Sequence, residues 1–299
     1  MNGYRVPAEQ IGAAIGMYYR GMSYKQIGEQ MADAYDMDEP DKRAIYEWVR
    51  DHSEVAAEAM KDYPAHTSGK WVADEMQVKV GGENLWNWNV MDADTRYVLA
   101  SHLSPNRDQM AAVAVMEKAA AAADGPPKSI TTDKLRSYGP AIKKVFPQAE
   151  HIQSEGLKAE INNNMSERLQ GTFRQREKTL RGLEGLESGQ RYLDGWVVNY
   201  NLFKEHEGVD YQTPAEMAKV KPPFTEWADV VRNAPALQES RKGKATPSLA
   251  DVADKAARPS PATAPKTTFF IPDSTARRRP KGERESDDPD DLPFLFRPR

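Results

Sequence analysis

The sequence predicts an α/β protein: a mixed β-sheet flanked by helices, with a small all-α unit ahead of it and a tail behind it. Three observations carry this reading. Apolar residues recur at steps of three and four through the first sixty residues, and the period changes to two from Trp71. Beyond about Pro235 periodicity is lost among proline, serine, alanine and charges of both signs.

From Pro7 to about Met60 three helices are expected. Their apolar positions are Ile11, Ile15, Tyr18 and Tyr19, then Ile27 and Met31, then Ile45, Trp48 and Val49. Gly21-Met22-Ser23 makes the first turn, the glycine ending one helix and Ser23 capping the next. An acidic loop from Asp36 to Pro40 precedes a third helix that Asp41 can cap. The pattern is that of a helix-turn-helix domain over residues 1–60, whose third helix would be the recognition helix and offer Lys42, Arg43 and Arg50 to DNA. A helical module for protein contacts or dimerisation is the alternative, and six Lys or Arg against eleven Asp or Glu in residues 1–60 favour it.

From Trp71 a strand places Val72, Met76, Val78 and Val80 on one face. Gly81-Gly82 leads into a return strand from Leu85 to Val90, and Asp92-Ala93-Asp94 turns into a third from Tyr97 to Leu103. An alanine-rich helix from Asp108 to Ala123 follows, closed by Gly125-Pro126-Pro127. Then come a short strand ending in Ile130-Thr131-Thr132-Asp133, a helix reaching Phe146 and a brief strand around His151. Three antiparallel strands followed by alternating helix and strand is the order of the ribonuclease-H-like fold, expected here over residues 68–220. Residues 235–299 are expected to be a disordered, mixed-charge tail, with Arg277-Arg278-Arg279, an acidic run and a closing Phe294-Leu295-Phe296.

Composition narrows the chemistry. The absence of cysteine excludes disulfides, thiolate metal sites and cysteine nucleophiles, and the five histidines lack ligand spacing. No apolar run approaches the roughly 18 residues of a membrane span, and the first ten residues lack the order of a signal peptide, so a soluble cytoplasmic protein without membrane contact is expected. A net charge of −4 counts against binding nucleic acid, because phosphate contacts need Lys and Arg. The positive charge is nevertheless concentrated: five Lys or Arg stand against two Glu between Asn164 and Gly182.

Three acids stand out. Asp74 shares the apolar face of its strand, where an unpaired carboxylate is costly, so either a metal ion or an arginine must compensate it, whereas Glu75 should point the other way into solvent. Asp133 ends a strand, the position where open sheets place ligands, although Asp is also a good cap for the helix that follows. In the expected sheet the fourth strand lies beside the first, which brings Asp133 next to Asp74. Glu167 heads a helix on which Arg174, Lys178 and Arg181 return to nearly one face, while Met165, Leu169 and Phe173 form the apolar stripe. A solvated face with ordinary ion pairs is the alternative for that stripe. Three carboxylates from two strands and a helix suit a two-metal site for in-line phosphoryl displacement, and magnesium needs only oxygen ligands.

The segments Trp71–Val80 (WVADEMQVKV), Ile130-Thr131-Thr132-Asp133-Lys134 and Asn163-Asn164-Met165-Ser166-Glu167-Arg168 resemble the three acidic blocks of DDE insertion-sequence transposases with an integrase-like core. Thirty-three residues separate Asp133 from Glu167, close to that family's interval, and Arg181-Gly182-Leu183 resembles the motif after its third block. Tyr200-Asn201 with His206, and Thr213-Pro214-Ala215-Glu216, resemble the end of such cores. The resemblance covers roughly Tyr4 to Val220. It implies that Asp74, Asp133 and Glu167 are catalytic metal ligands for two Mg²⁺ ions, with Mn²⁺ able to substitute. It further implies cleavage at transposon ends and transfer of the freed 3′-hydroxyl into double-stranded target DNA by a dimer or larger multimer. The basic stripe is then expected to grip backbone through Arg174, Lys178 and Arg181. A domesticated regulatory protein that keeps the fold, or a nuclease that only hydrolyses, are the alternative outcomes. The acidic helix-turn-helix and the mixed-charge tail depart from the family pattern.

Overall fold

The computed structural model describes residues 6–154, 164–177 and 184–241. Three helices open it: α1 (Ala8–Tyr19), α2 (Tyr24–Tyr35) and α3 (Lys42–Met60). Their ends are set by the expected groups. Gly21 sits at φ 101° after α1, where a side chain would be strained. Ser23 and Gln26 form a reciprocal capping box on α2, and Asp41 accepts a bond from the Arg43 N–H at the start of α3.

Five strands follow: β1 (Lys70–Val80), β2 (Glu83–Asp92), β3 (Val98–Ser104), β4 (Ser129–Thr132) and β5 (Glu150–Gln153). Helix α4 (Gln109–Ala122), capped by Asp108, separates β3 from β4, and α5 (Tyr138–Val145) separates β4 from β5. The sheet order is β3-β2-β1-β4-β5, with β1, β2 and β3 antiparallel and β4 and β5 parallel to β1. The two-residue turn Gly81-Gly82 joins β1 to β2 and a five-residue connection joins β2 to β3, whereas β4 and β5 are four residues each and lie beyond a helical crossover. This is the ribonuclease-H-like arrangement. Asp92 fastens the β2–β3 turn by accepting bonds from Ser68 and Thr95 on separate oxygens.

The remaining helices are α6 (Asn164–Glu177), α7 (Leu186–Leu202), the short α8 (Pro214–Met217) and α9 (Trp227–Arg241). The sheet is covered on both faces. Trp71, Ala73, Trp88 and Val90 pack against α4 and α5, while Met76, Val78, Val80 and Leu103 meet Leu169 and Phe173 of α6 and Tyr192 and Trp196 of α7. Ile11, Ile15, Trp48 and Val49 from the N-terminal helices belong to that second cluster, with Trp227, Val230, Ala234 and Leu237 of α9. The outer edge of β3 is closed by side chains of α7. Asn201 donates to the Val98 carbonyl and accepts from the Val98 N–H, each at 2.9 Å, and Gln190 does the same for Leu103 N–H and Ser101 carbonyl. Polar side chains thus take the place of a neighbouring strand on an edge that would otherwise be open to pairing.

Helix α9 corrects the expected boundary at Pro235. Pro235 lies inside the helix, which continues to Arg241 because Ala234 and Leu237 are buried against the N-terminal helices. Residues 242–299 lie outside the described residues. No described helix is long and apolar enough to cross a membrane.

Close approach between α7 and the N-terminal helices depends on Gly195. A Cβ there would collide with the Tyr19 hydroxyl and come within 2.8 Å of the Ser53 Cβ, and that hydroxyl donates to Ser53 at 2.8 Å. Gly195→Ala is expected to cost about 1–3 kcal/mol by overpacking, read as a lower denaturation midpoint at unchanged slope. An unchanged midpoint would show that α1 and α3 do not dock on α7 in solution.

Candidate active site

Parallel pairing of β1 with β4 sets the site. Val72 is opposite Thr131, so two residues further along each strand stand Asp74 and Asp133. One carboxylate oxygen from each of Asp74, Asp133 and Glu75 lies within 4.8 Å of the others. Asp74 is 8% exposed and Asp133 is half-buried at the mouth of the sheet. The expected juxtaposition of Asp74 and Asp133 is present.

Each aspartate is oriented by its own surroundings. Asp74 Oδ1 accepts from the Glu75 N–H at 3.0 Å, and Asp74 Oδ2 accepts from Gln170 Nε2 on α6 at 2.8 Å. Asp133 Oδ1 accepts from the Leu135 N–H at 2.9 Å, an Asx turn that fixes the carboxylate at the strand end. It is not the cap of α5, which begins only at Tyr138 with Ser137 before it.

Glu75 is the main surprise. The expectation that it faces solvent is wrong: its side chain is 1% exposed. The start of β1 is buried on both faces, so the residue that alternates away from Asp74 enters the layer under α4 and α5. Glu75 Oε1 accepts from Arg107 Nε at 2.7 Å and from its Nη2, and Oε2 accepts from the Tyr138 hydroxyl at 2.6 Å. Burial pushes the Glu75 carboxyl above the ordinary glutamate value, against the opposing pull of Tyr138 and Arg107. Burial, then the Glu75 charge, raises the Tyr138 hydroxyl well above the ordinary tyrosine value. Arg107 also lies 3.6 Å from Asp133 Oδ2 and 4.8 Å above the Trp86 ring. Arg107, Tyr138 and Gln170 were not anticipated. The acid-next-to-acid pair in a strand without a polar face was the available signal for Glu75, but the partners come from distant segments.

The third acid is placed differently. Glu167 is exposed in the first turn of α6 and is not part of the carboxylate cluster. At 100° per residue, Leu169 and Phe173 face the core, Gln170 occupies the flank toward Asp74, and Glu167, Gly171 and Arg174 form the outward ridge. Arg174 is exposed on that ridge, and Lys178 and Arg181 lie outside the described residues. On α3, Lys42 is exposed, Arg43 pairs with Glu47 at 3.1 Å, and Arg50 pairs with Asp51 at 2.7 Å and lies over the Tyr46 ring.

The donor set fits hard divalent cations. Glu75 is held through both oxygens by Arg107 and Tyr138, whereas the hydrogen bonds described for Asp74 and Asp133 come from neutral amide N–H groups, and an oxygen of each lies within 4.8 Å of the other. Three acids against one arginine leave a surplus of negative charge there.

A ribonuclease-H-like sheet with an aspartate inside its first strand beside another just past the end of its fourth defines a class of metal-dependent polynucleotidyl transferases. Residues 68–206 match the family model described as a DDE domain. No curated protein matches the chain. Among solved structures, the HTLV-2 integrase catalytic core domain in complex with magnesium is 13% identical, with 52% of this chain and 97% of that chain covered and a TM-score of 0.39. The simian T-cell lymphotropic virus intasome in complex with PP2A regulatory subunit B56 gamma is 15% identical, covering 54% and 58%, at 0.40. The BIV integrase catalytic core domain is 10% identical, covering 50% and 93%, at 0.38.

Proposed function

We propose that the protein is a DNA transposase that cleaves at transposon ends and transfers the 3′-hydroxyl into double-stranded target DNA. The observation that carries this reading is the pairing of Asp74 with Asp133 inside the segment that matches the DDE-domain model. These two, with Glu167 as the third ligand, would hold two Mg²⁺ ions, or Mn²⁺ in their place. Bound there, the ions supply activation of the attacking hydroxyl and stabilisation of the leaving oxygen. The chain's own residues orient the ligands: Gln170 fixes Asp74, the Asx turn fixes Asp133, and Arg107 with Tyr138 neutralises and anchors Glu75 beneath them.

The three N-terminal helices serve as a helix-turn-helix module over residues 1–60 that reads the transposon ends through Lys42, Arg43 and Arg50. Arg174, Lys178 and Arg181 grip DNA backbone beside the core of residues 68–220, and two or more copies assemble on paired ends. The test supplies the protein with Mg²⁺, a target duplex, and a pre-cut duplex from the DNA flanking its gene, bearing a free 3′-hydroxyl. Joined product in Mg²⁺ and none in EDTA is the expected result. Hydrolysis without joining would make it a nuclease, and binding without either product a regulatory DNA-binding protein.

A further inference from the structure

Helix α6 separates the carboxylate cluster from a second, cationic cleft. Gln170 on one flank of the helix reaches Asp74, whereas Arg168 and Thr172 on the other flank line a cavity of about 340 Å³ with Arg96, Tyr200 and His206. Among the described residues no acid lines it. The Arg96 and Arg168 side chains make no hydrogen bond or ion pair among the described residues, whereas Arg43, Arg50 and Arg107 each have an acid beside them. His206 Nε2 is buried without a hydrogen-bond partner among the described residues.

The cleft is built rather than accidental. Arg96 stands in the left-handed region at φ 60°, a conformation unusual for arginine, and its guanidinium packs where a Cβ on Gly208 would be. Only glycine at 208 leaves that room. The Tyr200 and His206 rings meet at a tilt with centroids 4.4 Å apart, and the Lys204 ammonium lies 5.8 Å from the Tyr200 ring centre. Burial, then the charges of Lys204 and Arg96, pushes His206 down to about 4. The local field is therefore positive, and a half-buried guanidinium without a partner is a costly group whose natural complement is a forked oxyanion.

We propose that Arg96 and Arg168, in the cleft lined by His206, form a receptor for a backbone phosphate of the DNA strand that crosses α6. This rests on the DNA-acting function proposed above. The cleft lies roughly one helix width, about 10 Å, from the carboxylates, and the ridge between them carries Gly171, whose missing side chain leaves open surface. A strand laid over that ridge would present one phosphodiester to Asp74 and Asp133 and a neighbouring one to the arginines. The cleft would thereby fix which bond along the strand meets the acids.

The test measures duplex DNA affinity by fluorescence anisotropy from 50 to 300 mM salt (on the order of the range over which phosphate contacts are lost) for the full chain and its Arg168→Ala, Arg168→Lys and Arg96→Gln variants. Loss of one phosphate contact lowers the slope of log K against log salt by about 0.9 and the affinity roughly tenfold. Both changes are expected in Arg168→Ala and Arg96→Gln, while Arg168→Lys, which keeps a point charge, retains the slope. Arg168 is exposed, so its variants decide the matter if Arg96→Gln fails to fold. An unchanged slope in Arg168→Ala overturns the receptor and leaves the DNA-acting reading standing. Absence of salt-dependent binding by the unsubstituted protein overturns both.

Discussion

Asp74→Asn and Asp133→Asn are each expected to lower metal-dependent strand transfer by at least about 10³-fold, since bound metal supplies several kcal/mol of transition-state stabilisation. Neither substitution should unfold the protein. An asparagine at 74 keeps one acceptor oxygen, enough for either the Gln170 amide or the Glu75 N–H, and one at 133 keeps the oxygen that accepts from the Leu135 N–H. The loss should appear alongside a loss of stabilisation by Mg²⁺ or Mn²⁺, read as a metal-induced rise in Tm that the unsubstituted protein shows and the variants lack. Retained transfer in either variant would remove that residue from the site. Glu167→Gln is the informative third arm. Its side chain is exposed and outside the carboxylate cluster, so a comparable loss of transfer with unchanged metal-free stability is the result expected if α6 supplies the third ligand.

What could be read in the chain beforehand followed from local rules. The strand order, the caps at Ser23 and Asp41, and the approach of Asp133 to Asp74 all rest on period, turn chemistry and topology, which act over a few residues or through one parallel pairing. Glu75 was misplaced because alternation along a strand distinguishes two faces but not which of them is wet, and both faces of β1 are covered near its start. Arg107 and Tyr138 reach Glu75 across 32 and 63 residues of sequence, and no periodicity encodes such a meeting. Helix α9 was legible in part: Trp227, Val230, Ala234 and Leu237 keep helical spacing, but Pro235 reads as a breaker, and only packing against α1 and α3 outweighs it. Its carry-through also explains why the N-terminal helices share a hydrophobic cluster with one face of the sheet, a long-range arrangement invisible to any window of sequence.

The buried Glu75 leads to the second large effect. Arg107→Ala is expected to destabilise the fold by about 2–3 kcal/mol, below the 3–5 kcal/mol of breaking a fully buried pair, because the Arg107 side chain is 39% exposed and solvent screens part of its charge. The cost arises at the other partner: without the guanidinium, a carboxylate with 1% exposure is left beside Asp74 and Asp133 with only the Tyr138 hydroxyl to satisfy it. Glu75→Gln should be much milder, since the amide keeps an acceptor for Tyr138 and the freed arginine can turn into water while still resting on Trp86. The two substitutions together should therefore cost less than their sum, with a coupling of at least about 1 kcal/mol in a double-mutant cycle followed by denaturant unfolding. Strict additivity would mean that Arg107 stabilises through its stacking on Trp86 alone. Were Arg107→Ala as stable as the unsubstituted protein, the carboxylate it leaves behind would have to reach water, and the burial of Glu75 in this layer would be wrong.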